Sequence, residues 1–284
     1  MRQLILDRNR IFIIKIFYQL NIIMNLSRTH TDPILLSIIG ILFPIWTVYW
    51  SYLNFSFANI ALVVVGSWLL GINISMFAHR NWCHKAWTTN TFINLLGLIV
   101  FTVSLVGNSI GWVGIHREHH RYTDTEKDPH SPLYKSRWQI QFFSYFNTVK
   151  LPYIVDLGRS NLHLWFYKNY WYINLMFVLS LGLISIDFLI FWIAVIGLTI
   201  FKLHVINSLS HGTPKFLIPM NNGTNISNSL LLGVVFVNSG EAWHKNHHDD
   251  PKNARFGKQW YQIDIPFMLI RLLSLCRLAT INND

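Results

Sequence analysis

Four long runs of this chain carry no Asp, Glu, Lys or Arg: Ile34–Leu53, Phe57–Ala78, Thr91–Ile115 and Asn169–Ile186. No other feature restricts the fold as much. A helix that crosses a bilayer needs about 20 mostly apolar residues. Backbone placed in hydrocarbon must also satisfy its own hydrogen bonds. Only 13% of the residues are charged, against about 25% in ordinary soluble domains. The chain therefore reads as an all-α integral membrane protein.

Histidine decides how the runs are threaded. Of 13 histidines, nine fall at the ends of apolar segments: His79 and His84; His116, His119 and His120; His211; His244, His247 and His248. If they form one site, all must emerge on one side of the membrane. Segments 34–53 and 57–78 then form a down-and-up pair that delivers His79 back to the starting side. Segment 91–115 lies between His84 and His116, so it dips in and returns or lies in the interface. Gly107, Asn108 and Gly111 are candidates for its turn. Segments 169–186 and 188–209 form a second pair that leads to His211. Segment 226–239 is too short to cross. The expected fold is four transmembrane helices with a cytosolic helical cap that holds a histidine-rich dinuclear metal site. All nine histidines and both termini lie in the cytosol. Lys202 and His204 fall late in the fourth span, where ionisable groups should face the bundle interior or reach the interface.

Residues 1–32 form an N-terminal cytosolic or interfacial segment. An amphipathic interfacial helix and a true start at Met24 both remain open. Residues 33–278 form the main domain, and 279–284 a short tail. The net charge of +10 sits in the segments that flank the apolar runs. That pattern fits the positive-inside bias, and the same surface could attract an anionic head group or redox partner. Basic charge so dispersed does not suggest nucleic acid. The two cysteines, Cys83 and Cys276, lie in expected cytosolic segments, so no disulfide is expected.

"WVGIHREHHRY" (112–122) and "GEAWHKNHHDD" (240–250) both contain H-x-x-H-H. At about 100° per residue, this spacing puts three imidazoles within roughly a 100° arc of a helix. Two such helices facing each other offer six nitrogen ligands. His79 and His84 lie about 140° apart on an ideal helix, so they suit a helix end that unwinds. Cys83, between them, reads as a small buried filler. Nine histidines are too many for one ion and suit two. Imidazole binds Zn, Cu, Fe and Ni, but structural zinc sites usually include cysteine. Mononuclear iron oxygenases use two histidines and a carboxylate, and soluble di-iron bundles use Glu and Glu-x-x-His. A dinuclear, oxygen-activating site fits best. One membrane histidine alone would be read as an ordinary polar or interfacial group; the repeated boxes reverse that.

"HRNWCH" (79–84), "HREHHRYTDTEKDPHSP" (116–132), "NSLSH" (207–211) and "GEAWHKNHH" (240–248) resemble the histidine boxes of the membrane fatty acyl desaturases of the stearoyl-CoA or Δ9 type. The resemblance covers about 33–278, and the tail "NARFGKQWYQIDIPFMLIRLL" (253–273) looks like the bacterial-type members. It implies that His79, His84, His116, His119, His120, His211, His244, His247 and His248 bind two iron ions. Asn207 would reach one of the irons through a water. The reaction would remove two hydrogens from a saturated acyl chain at Δ9, with O₂ and two electrons. Cytochrome b5 or a ferredoxin would supply the electrons. Acyl-CoA is the favoured carrier, with acyl-ACP or a membrane lipid as alternatives. A eukaryotic host would imply the endoplasmic reticulum, and a bacterial host the plasma or an internal membrane. A hydroxylase with the same boxes and a membrane metal-binding or transport protein are the competing readings.

Neutral imidazoles leave the metal charge largely uncompensated, which favours a strongly oxidising site that must be kept dry. Every CH₂ is chemically alike, so regiochemistry must come from positioning. Ser67, Gly71 and Ser75 recur every four residues above His79. They could open an acyl groove or permit close helix packing. His204 departs from the aromatic residue usual in the resembled family, and is a candidate tunnel group. His130 is expected to cap or orient a loop, and His30 and His163 to lie at the surface. Region 133–168 lacks a clear family pattern, and "HHDDP" carries acids where an apolar or aromatic residue is common.

Overall fold

The computed structural model describes residues 32–211, 228 and 240–282. The N-terminal segment with His30, nearly all of segment 226–239, and the last two residues of the expected tail lie outside the described residues.

Helix α1, Pro33–Leu53, opens on Asp32, whose carboxylate accepts from Leu35 N at 3.0 Å, with Pro33 in the first turn. This is the usual solution for the free amides of a helix start. Helix α2, Phe57–Asn73, is capped in the same way by Ser56. It continues as a π-helical segment over Ile74–Cys83. After a short strand β1, Trp87–Thr89, come α3, Thr91–Val103, and α4, Ser109–Tyr122. Next are α5, Arg137–Phe143, α6, Asn161–Lys168, α7, Tyr170–Ile184, and α8, Ile186–Ser210. The short α9, His244–Asp249, then α10, Ile265–Leu275, and strand β2, Ala279–Ile281, complete the described chain.

Among the described residues, three helices are long and apolar enough to cross a membrane: Pro33–Leu53, Phe57–Cys83 and Ile186–Ser210. The expected span 169–186 is realised as α7, which has 15 residues. At about 1.5 Å per residue that is roughly 22 Å, short of a hydrocarbon core of about 30 Å. The outward faces are unlike those of a water-soluble fold: Val48, Leu62, Leu69 and Leu183 are exposed. A bilayer would cover them.

The charge-free run 91–115 is not one helix. Its reversal lies at Leu105, with φ 57°, and Gly107, with φ 103°. Asn108 then caps α4 by accepting from Gly111 N at 2.8 Å. Gly107 and Asn108 thus take part in the turn, whereas Gly111 lies inside α4.

The long helices meet closely. Thr47 on α1 donates to the Ala194 carbonyl of α8 at 2.8 Å, and Trp46 Nε1 donates to the Ile190 carbonyl at 3.2 Å. Gly197 sits where a Cβ would collide with the Phe43 carbonyl oxygen. One departure from an all-α fold is the antiparallel pairing of β1 with β2, Trp87 opposite Ile281. It carries ordered packing past residue 278, into the expected tail.

Candidate metal centre

Four elements converge at one end of the long helices. The π segment ends in His79 and His84. Its i→i+5 bond runs from His84 N to the His79 carbonyl at 3.1 Å. In an α-helix these residues would diverge, but an i→i+5 turn stacks them on one side. Their rings lie 5.0 Å apart. Arg117 on α4 locks this end by donating to the Trp82 and Cys83 carbonyls at 2.6 and 3.0 Å, and to Asp156 at 2.7 Å. Helix α4 supplies His116, His119 and His120. His211 follows α8, and α9 supplies His244, His247 and His248.

The nine histidines sort into two groups. His79, His84, His116, His120 and His247 offer ligand atoms within 4.8 Å of one another, as do His119, His211, His244 and His248. Within the first group, Nε2 of His247 is 2.9 Å from Nε2 of both His79 and His120, and His120 Nε2 is 3.2 Å from His116 Nε2. Within the second, His244 Nε2 is 2.7 Å from His211 Nε2 and 3.2 Å from His248 Nε2. Two nitrogens bound at right angles to one first-row ion, each about 2.1 Å away, would lie about 3.0 Å apart.

Proton counting supports the same reading. His79 Nδ1 lies 2.8 Å from Glu241 Oε2, and His119 Nδ1 lies 2.9 Å from both oxygens of Asp128. A neutral ring that donates from Nδ1 presents a bare lone pair at Nε2. His247 Nε2 sits 2.9 Å from the Nε2 of both His79 and His120. One proton there can serve only one of these neighbours in good geometry, whereas a shared cation can serve all three. The donor set therefore fits metal ions.

Burial, followed by repulsion among the rings, lowers the pKa of His84, His116, His119, His120, His244, His247 and His248 well below the ordinary imidazole value. The set stays deprotonated, as metal ligation requires. Burial pushes the Asp128 carboxyl up to about 6, although Asp124 N and His130 N both donate to it. Burial would also raise Glu241, but the His79 ring, Arg80 and the Ser75 hydroxyl together outweigh it and hold that carboxyl below its ordinary value.

The carboxylates are what the sequence reading missed. Glu241, Asp124 and Asp128 all lie inside the quoted boxes, yet no role follows from their spacing. In the fold each sits behind an imidazole; Asp124 lies 3.4 Å from His211 Nδ1. Such partners fix ring orientation and raise ligand basicity. Ser75 in turn donates to Glu241 at 2.5 Å.

Two cavities meet at this centre. One runs between α2 and α8 and is lined by Gly71, Ile74, Ser75, Thr199, Lys202 and Ile206, together with His79, His116 and His244. The other includes His130, Tyr145 and His204. Trp112, His116, Leu203 and Asn207 line both. Gly71 and Ser75 thus line a cavity. Ser67, one turn deeper, is fully buried. His204 Nδ1 donates to the Ile140 carbonyl at 3.0 Å, so its ring edge, not a metal-binding pair, is its contribution. His130 stacks on His119 with centroids 4.1 Å apart. Together with His119 and Asp128 it forms a third group whose ligand atoms lie within 4.8 Å of one another. His163 is not at the surface: it is buried and pairs with the Ser109 hydroxyl at 2.9 Å.

A family model described as fatty acid desaturase matches residues 29–265. The chain is 29% identical over 80% of its length to Delta-9 acyl-lipid desaturase 1 of Arabidopsis thaliana, covering 76% of that protein. It is 28% identical to the sn-1 stearoyl-lipid 9-desaturase of Anabaena variabilis, covering 80% of this chain and 85% of the relative. It is 30% identical to the acyl-CoA C20 Delta5-desaturase of Anemone leveillei, over 71% of this chain and 66% of the relative.

Proposed function

From the premise that this chain belongs to the fatty acid desaturase family and is an oxidoreductase of acyl chains, we propose that it places a cis Δ9 double bond in a saturated chain at a di-iron centre. The carrying observation is the division of nine imidazoles into groups of five and four beside a cavity that enters the helix bundle. The balanced reaction converts CH₂–CH₂, O₂, two electrons and two protons into CH=CH and two waters. Bound iron would supply the oxidising power needed against an unactivated C–H bond.

The protein's own part is positioning and exclusion. His79, His84, His116, His120 and His247 would hold one iron. His119, His211, His244 and His248 would hold the other, with Asn207 completing that shell through a water. Glu241 and Asp128 keep the His79 and His119 rings in the tautomer that frees Nε2. Trp112 stacks on His116 with centroids 5.0 Å apart and walls both cavities. The acyl chain would lie along Gly71 and Ser75, its position fixing which carbons face the metals.

In this reading α1, α2, α7 and α8 cross the membrane and the histidines face the cytosol. α7 would cross with help from its flanking residues or from a thinned bilayer. Electrons would come from cytochrome b5 or a ferredoxin. Acyl-CoA is the carrier favoured by sequence, while relatives named for acyl lipids support a membrane lipid. The test is a fatty acid profile, with double-bond location, of cells expressing the chain beside a His119→Ala form. Labelled stearoyl-CoA and stearoyl phospholipid would then be offered to the purified protein. A new Δ9 acid from the first form alone supports the reading, a hydroxy acid replaces it with hydroxylation, and no product with either carrier and donor present overturns it.

A further inference from the structure

Helix α10 begins where the histidine-bearing chain ends. Asp264 caps it by accepting from Phe267 N at 3.2 Å, and the same carboxylate pairs with Arg80 at 2.8 Å, one residue from His79. Pro266 and Ile270 are buried, and Leu269 and Leu273 pack against the main core. Those residues form the inner face. The outer face is apolar as well: Met268, Leu272 and Leu275 are 58%, 56% and 74% exposed. At about 100° per residue these three side chains fall within roughly 60° of arc, opposite Ile270.

A helix that is apolar on both faces is not finished by water. At 11 residues it measures about 16 Å, too short to cross a bilayer and suited to lying in its surface. It packs on α2 and on the π segment, and α2 is itself exposed at the apolar Val65 and Leu69. The rim has the composition of a water–hydrocarbon boundary: Arg271 and Arg277 are exposed, and Trp260, just upstream, is 92% exposed.

We propose that α10 is an interfacial helix whose ligand is the bilayer surface, with Met268, Leu272 and Leu275 in the acyl boundary and Arg271 and Arg277 at the phosphates. The proposal rests on the reading that α1, α2 and α8 cross the membrane. It gives the cap a lipid-seated foot that is tied through Asp264 and Arg80 to the end of the π segment.

The experiment uses nitroxide labels on the full chain in phosphatidylcholine–phosphatidylglycerol liposomes. Leu272→Cys is made in a Cys276→Ser background, since Cys83 is buried. Val65→Cys on α2 and Glu126→Cys in an exposed loop serve as references, and Met268→Cys as an independent second site. The expected result is that positions 272 and 268 show an O₂-to-nickel-chelate accessibility ratio several-fold above that of position 126. A ratio equal to that of position 126, with position 65 in hydrocarbon, overturns the interfacial helix alone. If position 65 also reads as aqueous, the membrane-crossing reading fails with it. Low access to both reagents would mean that another part of this chain covers the face. Dipolar broadening removed by dilution with unlabelled protein would mean that a second copy covers it. Either result overturns the proposal.

Discussion

His119 Nδ1 lies 2.9 Å from each oxygen of Asp128, and the two side chains are 1% and 0% exposed. A carboxylate buried this completely against one ring edge has a single geometric effect: it commits the proton to Nδ1 and the lone pair to Nε2.

Asp128→Asn keeps the shape and removes the charge, so His119 loses its fixed tautomer. Losing such a partner costs about 10–100-fold in metal affinity or activity. Iron retention against a graded chelator series would measure it, and the same direction is expected for Glu241→Gln through His79. Unchanged retention in both variants would show that the carboxylates do not orient the rings.

If Asn207 completes the four-histidine shell through a water, Asn207→Ala should lower the bound iron through that group alone. His84→Ala should lower it through the five-histidine group. Metal analysis of the purified single and double variants reads this: the double variant should lose more iron than either single one, and an undiminished iron content in Asn207→Ala would contradict the assignment of Asn207.

Chain length should respond to Gly71 more than to Ser67. Gly71 lines the cavity between α2 and α8, while Ser67 is buried one turn away. Gly71→Leu should shorten the accepted acyl chain, and Ser67→Phe should act through packing and lower stability. Product lengths by gas chromatography decide between them. An unchanged profile from active Gly71→Leu protein would remove the acyl groove from this space.

Metal-free protein should lose stability as the pH falls below about 6.5. Seven buried imidazoles have native pKa values well below the ordinary one. In that window the unfolded chain binds more protons than the native one, so stability rises with pH. The contribution is complete above about 6.5, the unfolded value, and shrinks as the pH falls toward the lowered native values. Melting of chelated protein at pH 7.5 and pH 5 should show the lower midpoint at pH 5. Equal midpoints would mean that the imidazoles are solvated.

Arg80 and Asp264 form an ion pair with side chains 0% and 4% exposed. Removing one partner of such a pair typically costs about 3–5 kcal/mol. Asp264→Ala should therefore lower the melting midpoint sharply and loosen the segment that carries Phe256, whose ring meets His247 with centroids 4.4 Å apart. A shift within error of wild type would make the pair incidental.

What could be read in the sequence was periodic or repeated. The charge-free runs gave the helices, and H-x-x-H-H twice over gave the ligand faces, because a helix converts spacing into direction. What could not be read was set by contacts between distant parts of the chain. Asp128 and Glu241 look like ordinary acids until the fold puts each behind a ring. His163 looks like a surface residue in a short polar stretch until Ser109 arrives from 54 positions away. The reversal at Leu105 was half legible: Gly107 and Asn108 signalled it, but a leucine with φ 57° is held there by packing and not by preference. A span was expected over 169–186, and composition could not show that the helix stops at Ile184.

The π-helical stretch from Ile74 to Cys83 sets the angle between the cavity and the histidine cluster. Gly71 and Ser75 line the cavity while His79 and His84 stand in the cluster, and the wider turn is what reconciles the two. Rewound as an ordinary α-helix of the same length, this stretch would turn further with each residue and carry everything beyond it out of its present direction. The hydrophobic run would be as long and as greasy as before, and its affinity for a membrane would be the same. His79 and His84, however, would be out of phase with the cavity beside Gly71 and Ser75. In this segment the winding carries as much information as the residues.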